Sequence, residues 1–132
     1  MDQEIREYFA EIITYVEEHF ENIEIKQDLS ERRALLKIKC RLRDFKIKIT
    51  EVIDEDKRKY SYYLIKNDTI IFGFDNAPDP TALKIKYGNG YKQHRTEYIP
   101  HFHGKGKRHT ELTEETRFED FLEEINRSLE EE

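Results

Sequence analysis

The first regular hydrophobic pattern covers residues 2–21. Apolar side chains recur there at steps of three and four residues, which places them on one face of a helix. They are Ile5, Phe9, Ile12, Ile13, Val16 and Phe20. Glutamates occupy much of the remaining circumference. The pattern therefore predicts an N-terminal amphipathic helix whose apolar stripe packs in a core.

From Ala34 the period changes to two, which is typical of strands with one apolar face. Two such strands meet at Arg43-Asp44, where a tight turn is predicted. Residues 51–59 are interpreted as a charged connection. Lys59–Lys66 and Thr69–Asp75 are expected to form a second hairpin around Asn67-Asp68, because these residues favour turns.

After Asp75 the pattern weakens, and residues up to about Thr110 are expected to be irregular, with a short strand near Leu83–Tyr87. A final helix is predicted with a capping box of Thr116 and Glu119. Its apolar stripe consists of Phe118, Phe121, Leu122, Ile125 and Leu129. The sequence thus predicts one α+β domain over residues 1–132, with an antiparallel sheet of four or more strands flanked by N-terminal and C-terminal helices.

The net charge of −6 conceals an uneven distribution. Residues 1–31 and 110–132 each hold ten acids and two bases, whereas residues 32–59 and 84–109 each carry a net charge of +6. If the first two strands form a hairpin, six bases share one sheet face, where they can bind a nucleic-acid backbone or merely keep the face solvated. These bases are Lys37, Lys39, Arg41, Arg43, Lys46 and Lys48.

The overall composition narrows the class of protein. No apolar run approaches the roughly 20 residues that span a bilayer, and the acidic start lacks a secretory pattern, so no membrane association and a cytoplasmic location are expected. Abundant Lys, Glu and Arg with few Gly are typical of thermophile proteins. Cys40 lies between Ile38 and Leu42 on the apolar face and is interpreted as a buried small hydrophobe.

Residues 94–109 hold four histidines and four Lys or Arg. Cleavage of RNA by its own ribose hydroxyl needs a base, an acid and cations on the phosphate. His101 and His103 supply the first two types, and Lys105, Lys107 and Arg108 supply the third. Tyr62 or Tyr98 can stack a base on its ring or donate a proton from its hydroxyl.

A metal site is the alternative use of His101 and His103. In a strand the two imidazoles point to the same side and can share one ion, and Asp75 can add a carboxylate. The surrounding cations oppose a divalent ion, so the sequence favours proton transfer, with no cofactor or metal. The third interpretation is a solvated loop.

Three stretches resemble the TumE-type toxins of prokaryotic toxin–antitoxin modules. They are Tyr60–Tyr63 with Ile70–Pro78, Pro100–His103, and Thr116–Ile125. The similarity covers roughly residues 34–129. The sequence departs from the family pattern after Pro78, where Asp79-Pro80 replaces a His pair, and in the His loop, which has one His fewer.

The resemblance implies a small toxin that acts on RNA and is silenced by a cognate antitoxin protein. We therefore expect a metal-independent ribonuclease in which His101 and His103 exchange protons, Lys105 stabilises the phosphate with Lys107 and Arg108, and Asp75 and Asn76 orient a His or the ribose. A non-catalytic binding module for nucleic acid or protein is the alternative, and a metal-dependent hydrolase is a third. A homodimer is a further expectation. Deletion of residues 130–132 is expected to raise RNA affinity modestly at low salt.

Overall fold

The apolar stripes of the two terminal helices pack on one face of an antiparallel sheet. The computed structural model describes residues 2–130. Its helices are α1 Gln3–His19, α2 Pro80–Tyr87 and α3 Phe118–Glu130, with short 3₁₀ helices at Gly88–His94 and Lys105–Lys107. Its strands, adjacent in chain order, are β1 Glu21–Leu29, β2 Arg33–Leu42, β3 Phe45–Asp54, β4 Arg58–Lys66, β5 Thr69–Asp75, β6 His101–His103 and β7 Thr110–Leu112. The predicted α+β class with two flanking helices is confirmed.

Both predicted hairpins are present. Leu42 pairs with Phe45, so Arg43-Asp44 forms the two-residue turn between β2 and β3. Lys66 pairs with Thr69, and the intervening Asn67 and Asp68 both have positive φ, at 52° and 61°. Positive φ at both central residues matches the right-handed twist of the flanking strands and favours Asn and Asp. The local turn chemistry thus agrees with the alternation on either side.

The core lies between the helices and alternate residues of the central strands. From the helices it takes Phe9, Ile12, Val16, Phe118, Phe121 and Ile125. Cys40 lies on this face at 2% exposure, and burial raises the pKa of its thiol to about 12. A thiol with that pKa carries almost no thiolate at neutral pH, so the interpretation of Cys40 as a buried hydrophobe is confirmed.

Strand β1 was not predicted. Most of its residues are exposed, and it is the first strand of the sheet, with a partner strand on one side only among residues 2–130. An edge strand with most of its side chains in solvent shows little hydrophobic alternation, so the periodicity of two that identified β2 and β3 is missing here.

The interpretation of residues 51–59 as a charged connection is wrong. β3 continues to Asp54 and β4 begins at Arg58. Glu51 is fully buried on the helix-facing side, where its carboxylate accepts hydrogen bonds from the hydroxyls of Tyr8 and Tyr62. Arg58 donates to the same carboxylate from Nε at 2.9 Å and Nη2 at 3.0 Å. A charged residue can continue a buried strand when its charge is compensated in this way.

The expected irregular stretch up to Thr110 is also wrong in part. Instead of a strand near Leu83–Tyr87, the chain forms helix α2, with Pro80 in its first turn. The carboxylate of Asp79 caps this helix by accepting from the amide of Ala82 at 2.9 Å. Only Ala82 and Leu83 of α2 are buried, which explains the weak hydrophobic pattern.

The cap of α3 differs from the predicted Thr116–Glu119 box by one residue. Oδ2 of Asp120 accepts from the backbone N–H of Arg117 at 2.8 Å, while the buried hydroxyl of Thr116 has no hydrogen-bond partner among the described residues. Part of the acidic tail for which we predicted an effect of deletion, residues 131–132, lies outside the described residues. Across residues 2–130, the helices are too short or too polar to cross a bilayer.

Candidate functional site

The sheet face opposite α1 and α3 carries the charged side chains. Residues paired across adjacent strands point to the same face of a sheet. One such row runs through Lys39, Lys48, Tyr63, Gly73 and His103, from β2 to β6. With strands about 4.8 Å apart, Lys48 and His103 are separated by roughly 14 Å along this row.

A second row runs beside the first. It joins Lys37, Thr50, Ser61, Asp75 and His101. We call five of the bases of β2 and β3 on this side the basic face, namely Lys37, Lys39, Arg41, Lys46 and Lys48. The sequence placed these five together correctly. Arg43, the sixth base, lies in the exposed turn and outside the strand pairing.

His101 and His103 are neighbours on this face at the end of the rows. Their ring centroids are 4.7 Å apart and the rings are nearly perpendicular, at 81°. Nδ1 of His101 lies 2.5 Å from the carbonyl oxygen of Ile99. Because a carbonyl only accepts, Nδ1 carries the hydrogen, and Nε2 is the ring nitrogen that can take up or release a proton.

Burial is the main influence on the pKa of His103. The residue is 5% exposed, and burial lowers the pKa of its imidazole below the usual value, with a further decrease from His101. A charged imidazole loses hydration in such a position, so His103 stays neutral further into the acidic range than an exposed His. The pair therefore offers a neutral imidazole with a lone pair at neutral pH.

Tyr63 supports the His pair from β4. Its ring stacks on that of His103 at a centroid distance of 6.4 Å, and its hydroxyl donates to Oδ2 of Asp75 at 2.9 Å. Burial and the Asp75 carboxylate raise the pKa of the phenol well above its usual value, so the hydroxyl keeps its proton. The ring lies over Gly73, where an added Cβ would come within 2.1 Å of it. The absence of a side chain at Gly73 therefore leaves the space that the Tyr63 ring occupies.

Asp79 completes the cluster from the N-terminus of α2. One carboxylate oxygen of Asp79 and one ring nitrogen each of His101 and His103 lie within 4.8 Å of one another. The sequence had assigned the carboxylate role in a metal site to Asp75. Asp75 instead accepts from Tyr63 and from the amide of Ala77, so its oxygens are directed elsewhere.

The cations after β6 form an exposed rim. Lys105, Lys107 and Arg108 are exposed in and after the second 3₁₀ helix. The ammonium of Lys107 lies 5.5 Å from the ring centroid of Tyr63, which places a positive charge beside the His cluster. The two outer histidines of the sequence segment do not join it. His94 stacks on Tyr87, and His109 pairs with Glu111.

Two expected site residues lie elsewhere. Tyr62 is buried on the opposite face, where it contacts Glu51 and Arg58, and burial raises the pKa of its phenol. Asn76 is buried, and its side chain bonds the backbone of β4, accepting from the Tyr60 amide at 2.9 Å and donating to the Arg58 carbonyl at 2.7 Å. Both residues stabilise the fold around β4, and neither reaches the histidines.

A basic cleft of about 490 Å³ opens on the same face at the β1–β4 side. Its lining includes five cations, Lys26, Arg33, Lys37, Lys57 and Lys59. Tyr98 also lines it, with the Lys57 ammonium 4.8 Å from its ring centroid. Tyr98 is therefore the expected stacking residue that does lie on the charged face.

Tyr63 and Asp79 are the site residues that the sequence analysis missed. For each of them the sequence contains a pattern that indicates its position. Leu64 belongs to the apolar side of β4, so the alternation assigns Tyr62 to the core and Tyr63 to the other face. Asp79-Pro80 is the combination of an N-cap and a first-turn proline that begins a helix. The proximity of Asp79 to His101 required the tertiary structure.

Comparison with known proteins gave one finding. A family model with the description Toxin TumE matches residues 9–129, nearly the whole chain. No curated protein and no solved structure gave a significant match.

Proposed function

This chain belongs to the TumE toxin family, and we propose that it is a toxin that cleaves RNA without a metal ion and is held inactive by a cognate antitoxin. The observation that carries the proposal is the position of His101 and His103. They lie side by side at the end of two residue rows that begin on the basic face.

The basic face and the cleft beside it supply the binding surface. Lys and Arg contacts to phosphates supply most of the sequence-independent affinity for nucleic acid. Tyr98 adds a ring on which a base can stack. An RNA strand that lies along either row passes from Lys37 or Lys39 to the His pair. This path brings one of its phosphates to the imidazoles.

The reaction is transesterification by the neighbouring ribose hydroxyl. His103, neutral because of its burial, takes the proton of the 2′-OH while the 2′-oxygen bonds to phosphorus. The bond from phosphorus to the 5′-oxygen breaks, and Nε2 of His101 gives a proton to that oxygen. The products are a 2′,3′-cyclic phosphate and a 5′-hydroxyl. Lys107 stabilises the negative charge that develops on the phosphoryl oxygens.

The experiment is incubation of the purified protein with RNA in EDTA, followed by analysis of the new ends. We expect cleavage with 2′,3′-cyclic phosphate ends, and loss of cleavage in His103→Ala. His109→Ala is the matched control, because His109 is exposed and its ring pairs with Glu111 instead of the site histidines. Intact RNA with a folded wild-type protein, in EDTA and in added metal, would refute the ribonuclease.

A non-catalytic binding module is the second candidate. It is favoured by the burial of His101, which is 1% exposed and has limited access for a substrate. In this alternative the basic face binds nucleic acid and the histidines only stabilise the fold. Unchanged toxicity of His101→Ala together with retained RNA affinity would favour the module over the enzyme.

The antitoxin partner has to cover the basic face. An acidic surface is complementary to it, and charge complementarity accelerates association and selects the partner. We expect the protein encoded beside this gene to compete with RNA for the toxin. Substitution of Lys39 and Lys48 should weaken both complexes, whereas simultaneous binding of the antitoxin and RNA would contradict this arrangement.

A homodimer through β1 is the remaining part of the proposal. The outer edge of β1 is unpaired among the described residues, and Ile25 is 39% exposed there. Antiparallel pairing of two copies centred on Ile25 places Glu24 opposite Lys26 of the other copy twice, which gives two opposite-charge pairs. Sedimentation should show a dimer that Ile25→Lys converts to a monomer, and a monomeric wild type at high concentration would refute it.

A further inference from the structure

Three side chains from two elements converge on one point of the His site. Asp79 comes from the cap of α2, and His101 and His103 come from β6. One potential ligand atom of each lies within 4.8 Å of the other two. Two imidazoles and a carboxylate form a ligand set that suits borderline divalent ions such as Zn²⁺.

The surroundings of these side chains orient them as ligands. Nδ1 of His101 donates to the Ile99 carbonyl at 2.5 Å, which leaves Nε2 as the atom for a metal. A backbone carbonyl is one of the usual acceptors for the second ring nitrogen of a metal-bound histidine. Oδ2 of Asp79 accepts from the Ala82 amide, so the carboxylate is held in place while its other oxygen stays available.

The charges around the cluster also suit a cation. The charges of Asp75 and Asp79 lie near His103 and offset the ammonium of Lys107. Mg²⁺ and Ca²⁺ prefer a shell of oxygen ligands, which a pair of imidazoles does not provide.

We propose that Asp79, His101 and His103 bind one Zn²⁺-like ion and that this ion inhibits the toxin. Binding requires the three ligand atoms to close to about 3.3 Å from one another, as in a tetrahedral site with bonds near 2.0–2.1 Å. The ion then occupies the lone pairs that take up and pass on protons. Zinc would thus block the His pair reversibly. The inhibition rests on the ribonuclease activity proposed above, whereas the binding of the ion does not.

Binding is tested without RNA. Untagged protein is dialysed against chelator and titrated with Co²⁺, whose visible absorption reports the ligand geometry, and then with Zn²⁺ in a calorimeter. We expect one equivalent to bind, and Asp79→Asn and His103→Gln each to weaken it by about tenfold or more. Asparagine still caps a helix, so Asp79→Asn leaves α2 intact.

The control variant is His109→Ala, which removes the exposed His109–Glu111 pair as a source of adventitious binding. Its titration should match the wild type. Absence of stoichiometric binding overturns the metal site. Equal binding by the wild type, Asp79→Asn and His103→Gln overturns it as well, because the ion would then lie elsewhere.

Inhibition is tested by RNA cleavage with and without one equivalent of Zn²⁺. We expect cleavage to fall at least tenfold and to return on addition of EDTA. Faster cleavage with Zn²⁺ overturns the inhibitory role. If the metal-free protein does not cleave RNA, the ribonuclease and the inhibition both fail, while the titrations still decide whether the ion binds.

Discussion

Replacement of Arg58 by methionine isolates the charge of Glu51 in the core. Arg58 donates to the Glu51 carboxylate twice, to the Tyr62 hydroxyl at 2.6 Å and to the Thr116 carbonyl at 2.8 Å. Its guanidinium also lies 4.4 Å from the ring centroid of Tyr60. Burial disfavours the charged guanidinium, but the hydrogen bonds and charge of Glu51 outweigh this and raise the pKa of Arg58. The two groups therefore stabilise each other as a buried ion pair.

Removal of one partner of a buried ion pair costs about 3–5 kcal/mol, because the other charge remains in the core. The Glu51 side chain is 0% exposed and cannot regain water. We therefore expect Arg58→Met to lower the free energy of unfolding by about 4 kcal/mol. At about 3 °C per kcal/mol for a domain of this size, the Tm falls by about 12 °C.

Removal of the carboxylate instead of the guanidinium should lower the free energy of unfolding by less. In Glu51→Leu the guanidinium is left without its carboxylate, but its side chain is 12% exposed and keeps its bond to the Thr116 carbonyl. The expected loss is about 1–3 kcal/mol. The double variant Glu51→Leu/Arg58→Met replaces both charges by apolar groups, and such replacements are often neutral. It should be at least about 2 kcal/mol more stable than Arg58→Met alone.

Urea denaturation followed by circular dichroism measures all three variants, since the chain has no Trp for fluorescence. Arg127→Met is the control, because Arg127 pairs with Glu124 on the exposed side of α3 at 67% exposure, and it should change stability by less than about 0.5 kcal/mol. A double variant no more stable than Arg58→Met would refute the reasoning. RNA cleavage by the folded variants should persist, because the pair lies on the opposite face from the histidines.

Three further outcomes test the site. Gly73→Ala displaces the Tyr63 ring and should reduce cleavage about tenfold or more, measured under saturating RNA. Because His103 has a lowered pKa, the unfolded chain binds more protons, so wild-type stability should fall as pH drops below about 6.5, and urea titrations of His103→Gln should show a smaller fall. Lys39→Gln/Lys48→Gln should reduce the slope of log affinity against log salt by about 1.4, from filter binding.

A specific result would contradict each of these three predictions. Unchanged cleavage by a folded Gly73→Ala would show that the Tyr63 ring is not needed at the His pair. Equal acid sensitivity of the wild type and His103→Gln would assign the titration to another group. An unchanged salt slope for the double lysine variant would place the RNA away from the basic face, and Lys92→Gln, an exposed residue near α2, is its matched charge control.

The sequence was sufficient for the elements with strong patterns. The stripe from Ile5 to Phe20 determines α1, and the alternation through β2 and β3 determines which side of the hairpin is charged. The family was also recognisable from its motifs. These features are local, because a side chain's direction in a helix or strand follows from its position in the repeat.

Other features depend on contacts that no local pattern encodes. Glu51 resembles a solvated residue until Tyr8, Tyr62 and Arg58 surround its carboxylate. Edge strand β1 has little hydrophobic alternation, because most of its side chains remain in solvent.

The candidate site shows the same division between features set by local sequence and features set by tertiary contacts. The sequence by itself determined that His101 and His103 share a side of an extended segment, and that a row of lysines shares a face. Only the tertiary structure decided that these are the same face, because this depends on the pairing of β6 with β5 across a 25-residue separation. It also brought Asp79 to the histidines and sent Tyr62 to the core. Side-chain direction is set by local geometry, whereas proximity is set by which strands pair and which surfaces are buried.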